Sequence, residues 1–105
     1  MKQLLITRMK DSLYMVPPEK RMEVMLGSGA FVDKYRKEGK CKEIYVVPGL
    51  KMSVTMWEVE SAEESDRLFL EWPAFPFADV EVYALADFDT YMKGVKERYQ
   101  TRAKK

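Results

Sequence analysis

The order of its hydrophobic patterns limits the fold of this chain more than any other feature. Four segments are rich in β-branched and aromatic residues and predict strands at residues 3–9, 41–47, 51–59 and 78–86. Pro48-Gly49 marks a tight turn, so the second and third strands are expected to form a hairpin. The other strands are separated by segments long enough for helices.

Helix signals fill both gaps. Pro17-Pro18-Glu19 predicts the start of a helix that runs to about residue 37 or 38, with Gly39 as its stop. An apolar stripe is predicted along it at Met22, Met25, Leu26 and Val32, with Phe31 and Tyr35 beside it. Ser61-Ala62-Glu63-Glu64 is a capping box for a second helix that ends before Pro73.

A third helix is predicted from Asp87 or Asp89 to the basic C-terminal end. Its apolar positions form one continuous stripe: Phe88, Tyr91, Met92, Val95 and Tyr99. Its last turns carry basic residues: Lys96, Arg98, Arg102, Lys104 and Lys105. The chain is therefore expected to be one α+β domain. A ferredoxin-like βαββαβ core spans residues 1–86 with a four-stranded antiparallel sheet, and a C-terminal helix spans residues 87–105.

Alternation along the strands divides the sheet into two faces. The nearly aliphatic face is expected under the first two helices: Leu4, Ile6, Ile44, Val46, Val54, Met56, Val80, Val82 and Ala84. The other face mixes aromatic, hydroxyl and carboxylate groups: Leu5, Thr7, Glu43, Tyr45, Val47, Lys51, Ser53, Thr55, Trp57, Asp79, Glu81, Tyr83 and Leu85. A second copy of the chain, packing sheet against sheet as a dimeric α+β barrel, or the third helix is expected to cover it. Such a face either encloses a small-molecule cavity or is only an interface between copies.

Composition excludes several classes of function. Eighteen basic and 17 acidic residues leave a net charge of +1, which argues against a dedicated nucleic-acid binder. Histidine is absent, which excludes Ser-His-Asp and Cys-His catalysis and metal sites that contain histidine. Cys41 is the single cysteine, so no intramolecular disulfide or CxxC motif is expected. Neither a cofactor nor a metal is predicted, and the short N-terminal apolar run predicts no membrane partner and a cytoplasmic protein.

Two segments give the chain a family resemblance. They are Ser53-Val54-Thr55-Met56-Trp57-Glu58-Val59, followed by Ser61, and Trp72-Pro73-Ala74-Phe75-Pro76-Phe77-Ala78-Asp79-Val80-Glu81-Val82. Lys37-Glu38-Gly39 also ends the first helix in a similar way. With these residues the chain resembles the muconolactone isomerase family over about residues 30–86. The resemblance implies sheet-to-sheet dimers or higher oligomers and a cofactor-free proton shift on a small unsaturated lactone carboxylate from aromatic degradation.

The chain departs from the family where a base and a cation are needed. Ser28 and Gly29 occupy the positions of the family's glutamate and lysine in the first helix, and Ser53 stands for an asparagine. Glu43 is then the best-placed replacement base, and Glu81 is the second candidate catalytic residue. Substrate contacts are predicted at neighbouring positions: Tyr45, Lys51, Ser53, Trp57 and Tyr83.

Three functions remain open from the sequence. The first is a cofactor-free isomerase acting on a small unsaturated lactone or enol carboxylate. The second is a non-catalytic relative that binds a small molecule or forms oligomers after losing the acid/base pair. The third, by analogy of fold alone, is a cofactor-free monooxygenase of the dimeric-barrel type.

Overall fold

The central sheet has the predicted topology. A computed structural model describes residues 1–103 and contains four strands: β1 (Lys2–Met9), β2 (Cys41–Val47), β3 (Met52–Glu58) and β4 (Ala78–Leu85). They pair antiparallel in the order β2-β3-β1-β4. The four helices are α1 (Ser12–Met15), α2 (Pro18–Lys37), α3 (Ala62–Glu71) and α4 (Phe88–Ala103). This is the ferredoxin-like α+β fold, with β1 and β3 in the centre of the sheet.

The predicted helix boundaries are confirmed where a local signal fixes them. Helix α2 begins at Pro18, and Gly39 ends it with a left-handed φ of 77°. The amides of Gly39 and Lys40 donate to the carbonyls of Arg36 and Tyr35, as in a Schellman motif. The segment 10–16, predicted as a connection, contains the short helix α1.

The face assignment was right for the outer strands and wrong for the central ones. Leu5 and Thr7 of β1 and Thr55 and Trp57 of β3 are buried on the helix-covered side of the sheet. The aliphatic residues between them lie half-buried on the opposite side: Leu4, Ile6, Val54 and Met56. Alternation could not decide which side of a central strand faces the helices, because each central strand carries apolar residues on both of its sides. We call this opposite side, which none of the helices within residues 1–103 covers, the open face.

The inward side of α2 also differs from the prediction. Met22, Met25 and Leu26 are between 51% and 66% exposed. The helix instead turns Val24 and Tyr35 inward, with Phe31 and Val32 partly buried against the core. Both sets have helical spacing, so periodicity alone did not separate them.

Two hydrophobic clusters hold the helices on the sheet. The larger contains Leu5, Tyr35, Cys41, Trp57 and Val59. In it the rings of Phe31, Tyr35 and Trp57 have centroids 5.0–6.0 Å apart. The smaller joins Leu13, Val24 and Ala74, and so attaches α1 and the loop after α3 to the start of α2.

Helix α4 makes few contacts with the rest of the described chain. Phe88, Tyr91 and Tyr99 are 60–71% exposed. Lys104, Lys105 and the side chain of Arg102, which belong to the predicted basic end, lie outside the described residues. Within the described chain, every helix is too short or too polar to cross a membrane.

Candidate functional site

A cavity of about 70 Å³ lies between the helix-covered side of the sheet and helices α2 and α3. On a scale where about 10–15 Å³ holds one water molecule, this admits a small ring compound rather than a large cofactor. Apolar and aromatic side chains make up most of its wall: Leu5, Phe31, Val32, Ile44, Trp57, Val59, Leu68, Phe69 and Trp72. Neutral polar side chains make up the rest: Gln3, Thr7, Ser53, Thr55 and Ser65.

Hydrogen bonds orient the polar part of this wall. Ser65 Oγ donates to Gln3 Oε1 at 2.7 Å, which ties α3 to β1. Trp57 Nε1 donates to Thr55 Oγ1 at 2.8 Å. These four side chains and that of Thr7 are all more than nine-tenths buried. Since buried polar groups are costly without partners, these positions indicate a site with fixed polar contacts.

The described part of the cavity wall carries no acidic or basic side chain. Among the described residues that line the cavity, none has a carboxylate, an amine, a guanidinium, a thiol or a phenol. Residues 1–103 also place no group of three acidic or thiol side chains where a metal ion could bind. The wall can therefore bind and orient a ligand, and it supplies no general base by itself.

The structure separates the predicted site residues into three places. Ser53 and Trp57 line the cavity. Glu43, Tyr45, Glu81 and Tyr83 lie on the open face, with the sheet between them and the cavity. Lys51 lies at the hairpin turn, where its Nζ is 3.9 Å from Asp11 Oδ1 and 4.3 Å from the ring centre of Tyr14.

An ion-pair cluster marks one part of the open face. Glu81 accepts a hydrogen bond from Arg8 at 2.5 Å and another from the Tyr83 hydroxyl at 2.5 Å. These bonds lower the pKa of the Glu81 carboxyl, that from Tyr83 most, and the same contact raises the pKa of Tyr83. Glu81 is therefore held as a carboxylate and is a weaker base than a free glutamate.

A second group of charged residues lies outside the cavity, between the C-terminal part of α2 and α3. The Tyr35 hydroxyl and Lys34 Nζ both donate to Glu71, and Lys40 pairs with the buried Glu64. The hydrogen bond from Tyr35, followed by that from Lys34, lowers the pKa of Glu71. These contacts join the two helices above the core.

Sequence reasoning missed Gln3 and Ser65 as site residues. Gln3 was placed only at the start of a mostly apolar strand, and Ser65 within an amphipathic helix. For Ser65 the available signal was its inward helical position, in phase with Leu68 and Phe69. Gln3 is in phase with Leu5, and alternation did not decide which side of the sheet Leu5 faces. Their mutual hydrogen bond spans 62 residues of sequence, so no local pattern could show it.

Comparisons with known proteins agree on one family. A family model described as muconolactone delta-isomerase matches residues 6–90. The muconolactone delta-isomerase of Rhodococcus opacus is 26% identical over 76 residues, which are 72% of this chain and 82% of that protein. That of Acinetobacter baylyi is 24% identical over 70 residues, which are 67% of this chain and 73% of the relative.

A solved structure has the same fold. The crystal structure of a muconolactone isomerase superimposes with a TM-score of 0.70 at 22% identity, over 83% of this chain and 90% of that one. The family match covers most of the chain, including β2, β3, β4, the second half of β1 and the cavity wall apart from Gln3 and Leu5. By this match, the chain belongs to the muconolactone isomerase family.

Proposed function

We propose that this protein binds a small unsaturated lactone, or a related enol compound, in the cavity between the sheet and helices α2 and α3. The observation that carries the proposal is the cavity wall, in which fixed neutral polar groups are set among aromatic and aliphatic side chains. The names of the relatives supply the ligand class, since both are muconolactone isomerases. A role in the degradation of aromatic compounds belongs to this proposal as well.

Thermal unfolding with and without unsaturated five-membered lactones tests the binding. A ligand that binds only the folded state raises Tm as its concentration exceeds Kd. Ser53→Phe fills part of the cavity, and we expect it to abolish the ligand-dependent rise in Tm. Ser12→Phe, at an exposed serine outside the cavity, is the matched control and keeps the rise. An equal rise in Tm for both variants contradicts the proposed site.

Turnover as an isomerase is the second candidate function, and the family match favours it. The reaction needs a base, and the described cavity wall has none. Glu43 and Glu81 are the candidate bases, and because they lie on the open face they would act on a lactone bound at that face and not in the cavity. Incorporation of solvent deuterium into a lactone, followed by proton NMR, separates binding from turnover. Exchange that depends on the protein and is lost in Glu43→Gln or Glu81→Gln supports an isomerase, while binding without exchange supports a non-catalytic relative.

The open face supports a further part of the proposal, a homo-oligomer formed through the sheet. Half-buried aliphatic residues occupy the centre of this face: Leu4, Ile6, Val54 and Met56. Tyr45 is 63% exposed and Tyr83 47% exposed beside them. An apolar centre rimmed by aromatic and charged side chains is the composition of a protein–protein interface. A second copy that packs sheet against sheet buries this centre on both chains.

A further inference from the structure

Two side chains of the cavity wall offer hydrogen-bond donors at fixed positions, Gln3 and Thr55, while the hydroxyls of Thr7 and Ser53 in the same wall can donate or accept. Gln3 Oε1 already accepts from Ser65, which leaves the Nε2 amide of Gln3 to donate elsewhere. Thr55 Oγ1 already accepts from Trp57, which leaves the hydroxyl hydrogen of Thr55 free. Gln3 and Thr55 are each only 7% exposed, so packing holds both groups in place. A ligand that satisfies them must present acceptor oxygens.

Charge gives the second constraint. The described wall contains no lysine or arginine. Lys40, in the turn between α2 and β2, forms its ion pair with Glu64 of α3. A carboxylate that entered the cavity would lose its hydration without gaining a counter-charge, which strongly disfavours binding.

We infer that the cavity selects uncharged ring compounds that carry a carbonyl oxygen, such as neutral lactones, their esters and enones, over free carboxylates. This inference rests on the proposed function, because it concerns the same cavity. The Gln3 amide and the Thr55 hydroxyl donate to the carbonyl oxygen, and the aromatic wall packs against the ring. The preference for an uncharged lactone over a lactone carboxylate follows from the lack of a lysine or arginine in the described cavity wall.

A matched ligand pair tests the charge preference on the unmodified protein. The pair is an unsaturated five-membered lactone with a carboxymethyl substituent, as the free acid and as its methyl ester. Isothermal titration calorimetry at pH 7 is expected to show the ester binding at least about tenfold more tightly, a difference equal to the loss of one well-placed interaction. A cyclic ether of the same ring size, which lacks the carbonyl, is expected to bind at least about tenfold more weakly than the unsubstituted lactone.

The two glutamines of the chain provide a matched pair of variants. Gln3→Glu replaces the free amide donor by an acceptor, and we expect at least about tenfold weaker binding of the ester, as for an opposed hydrogen-bonding group. Gln100→Glu makes the same change at an exposed position of α4 and leaves the affinity unchanged. Equal binding of acid and ester overturns the inference and leaves the proposed function standing. Failure of every lactone to bind overturns the proposed function itself. The comparison of acid and ester on the unmodified protein tests the charge preference even if Gln3→Glu does not fold.

Discussion

At the scale of single residues, two glycines in the middle of α2 have different reasons to be there. A Cβ atom on Gly27 would lie 3.3 Å from Pro73 Cγ, so the close approach of the loop after α3 favours glycine at this position. A Cβ atom on Gly29 would meet nothing within 4 Å. Gly27 thus serves packing, whereas Gly29 only weakens the helix.

The pair predicts different responses to the same substitution. Gly29→Ala is expected to raise the free energy of unfolding by about 0.5–1 kcal/mol, because alanine costs less backbone entropy in a helix. Gly27→Ala meets Pro73 and is expected to lose most or all of that gain. Urea unfolding of both variants measures the difference. A stabilisation of equal size in both would contradict the packing role of Gly27.

The residue scale also shows where sequence reasoning about the site stops. Ser53 and Trp57 could be selected from their type and position, and both line the cavity. The sequence did not show that they face the helices, since Val54 and Met56, on the opposite side of the same strand, are equally apolar. Burial of Thr7 and Thr55 is decided by the helices that pack over them, which is a property of the tertiary structure.

At the scale of elements, α2 and α3 are linked by one carboxylate. Glu71 of α3 accepts from Tyr35 and Lys34 of α2. The bond from Tyr35 lowers the pKa of Glu71 and also raises the pKa of Tyr35. The lowered pKa means that Glu71 stabilises the folded state above the pKa it has in the unfolded chain, and that this contribution is lost as the pH falls.

The linkage predicts how the stability of the chain depends on pH. Glu71→Gln is expected to lower Tm at pH 7 and to reduce the loss of Tm as the pH falls below about 4.3, the ordinary pKa of a glutamate in an unfolded chain. Glu97→Gln, at an exposed position of α4, is the control and should follow the wild-type curve. Unchanged pH dependence in Glu71→Gln would show that the contact does not stabilise the fold.

The order and ends of the strands and long helices were easier to predict from the sequence than the buried side chains or the site. The order of strands and long helices was predicted because Pro18, Gly39 and Ser61 act locally at helix ends. Even the capping box is confirmed only in part. Ser61 Oγ accepts from the Glu64 amide. The Glu64 carboxylate accepts from the Glu60 amide and from Lys40 Nζ instead of from the amide of Ser61. A pairing with a distant lysine cannot be seen in a four-residue motif.

At the scale of the whole molecule, the single chain is too extended for its length. Its radius of gyration is 18.1 Å and its extents are 66 × 27 × 21 Å. A compact chain of this size has a radius of about 13 Å. Helix α4, with exposed aromatic residues and few contacts to the core, accounts for this shape. The extended helix and the open face together leave much apolar surface for a second copy to cover.

Oligomerisation through the open face predicts a selective effect of charge. Met56→Lys places an ammonium group in the centre of that face and is expected to shift the protein to smaller species in sedimentation velocity experiments. Met15→Lys makes the same change at a residue that is already 82% exposed in α1, and should leave the sedimentation coefficient unchanged. An unaltered oligomer in Met56→Lys would rule out this face as the interface.

If the ligand binds between the sheet and the helices, as proposed, adjacent residues of β1 respond to it differently. Leu5 lines the cavity and Leu4 lies on the open face. Methyl NMR spectra recorded during titration with an uncharged unsaturated lactone report on both sides of the sheet at once. We predict shifts at Leu5, Val32 and Leu68, and none at Leu4, Ile6 or Val54. Shifts at Leu4, Ile6 and Val54 with Leu5 unchanged would place the ligand on the open face and contradict the claim.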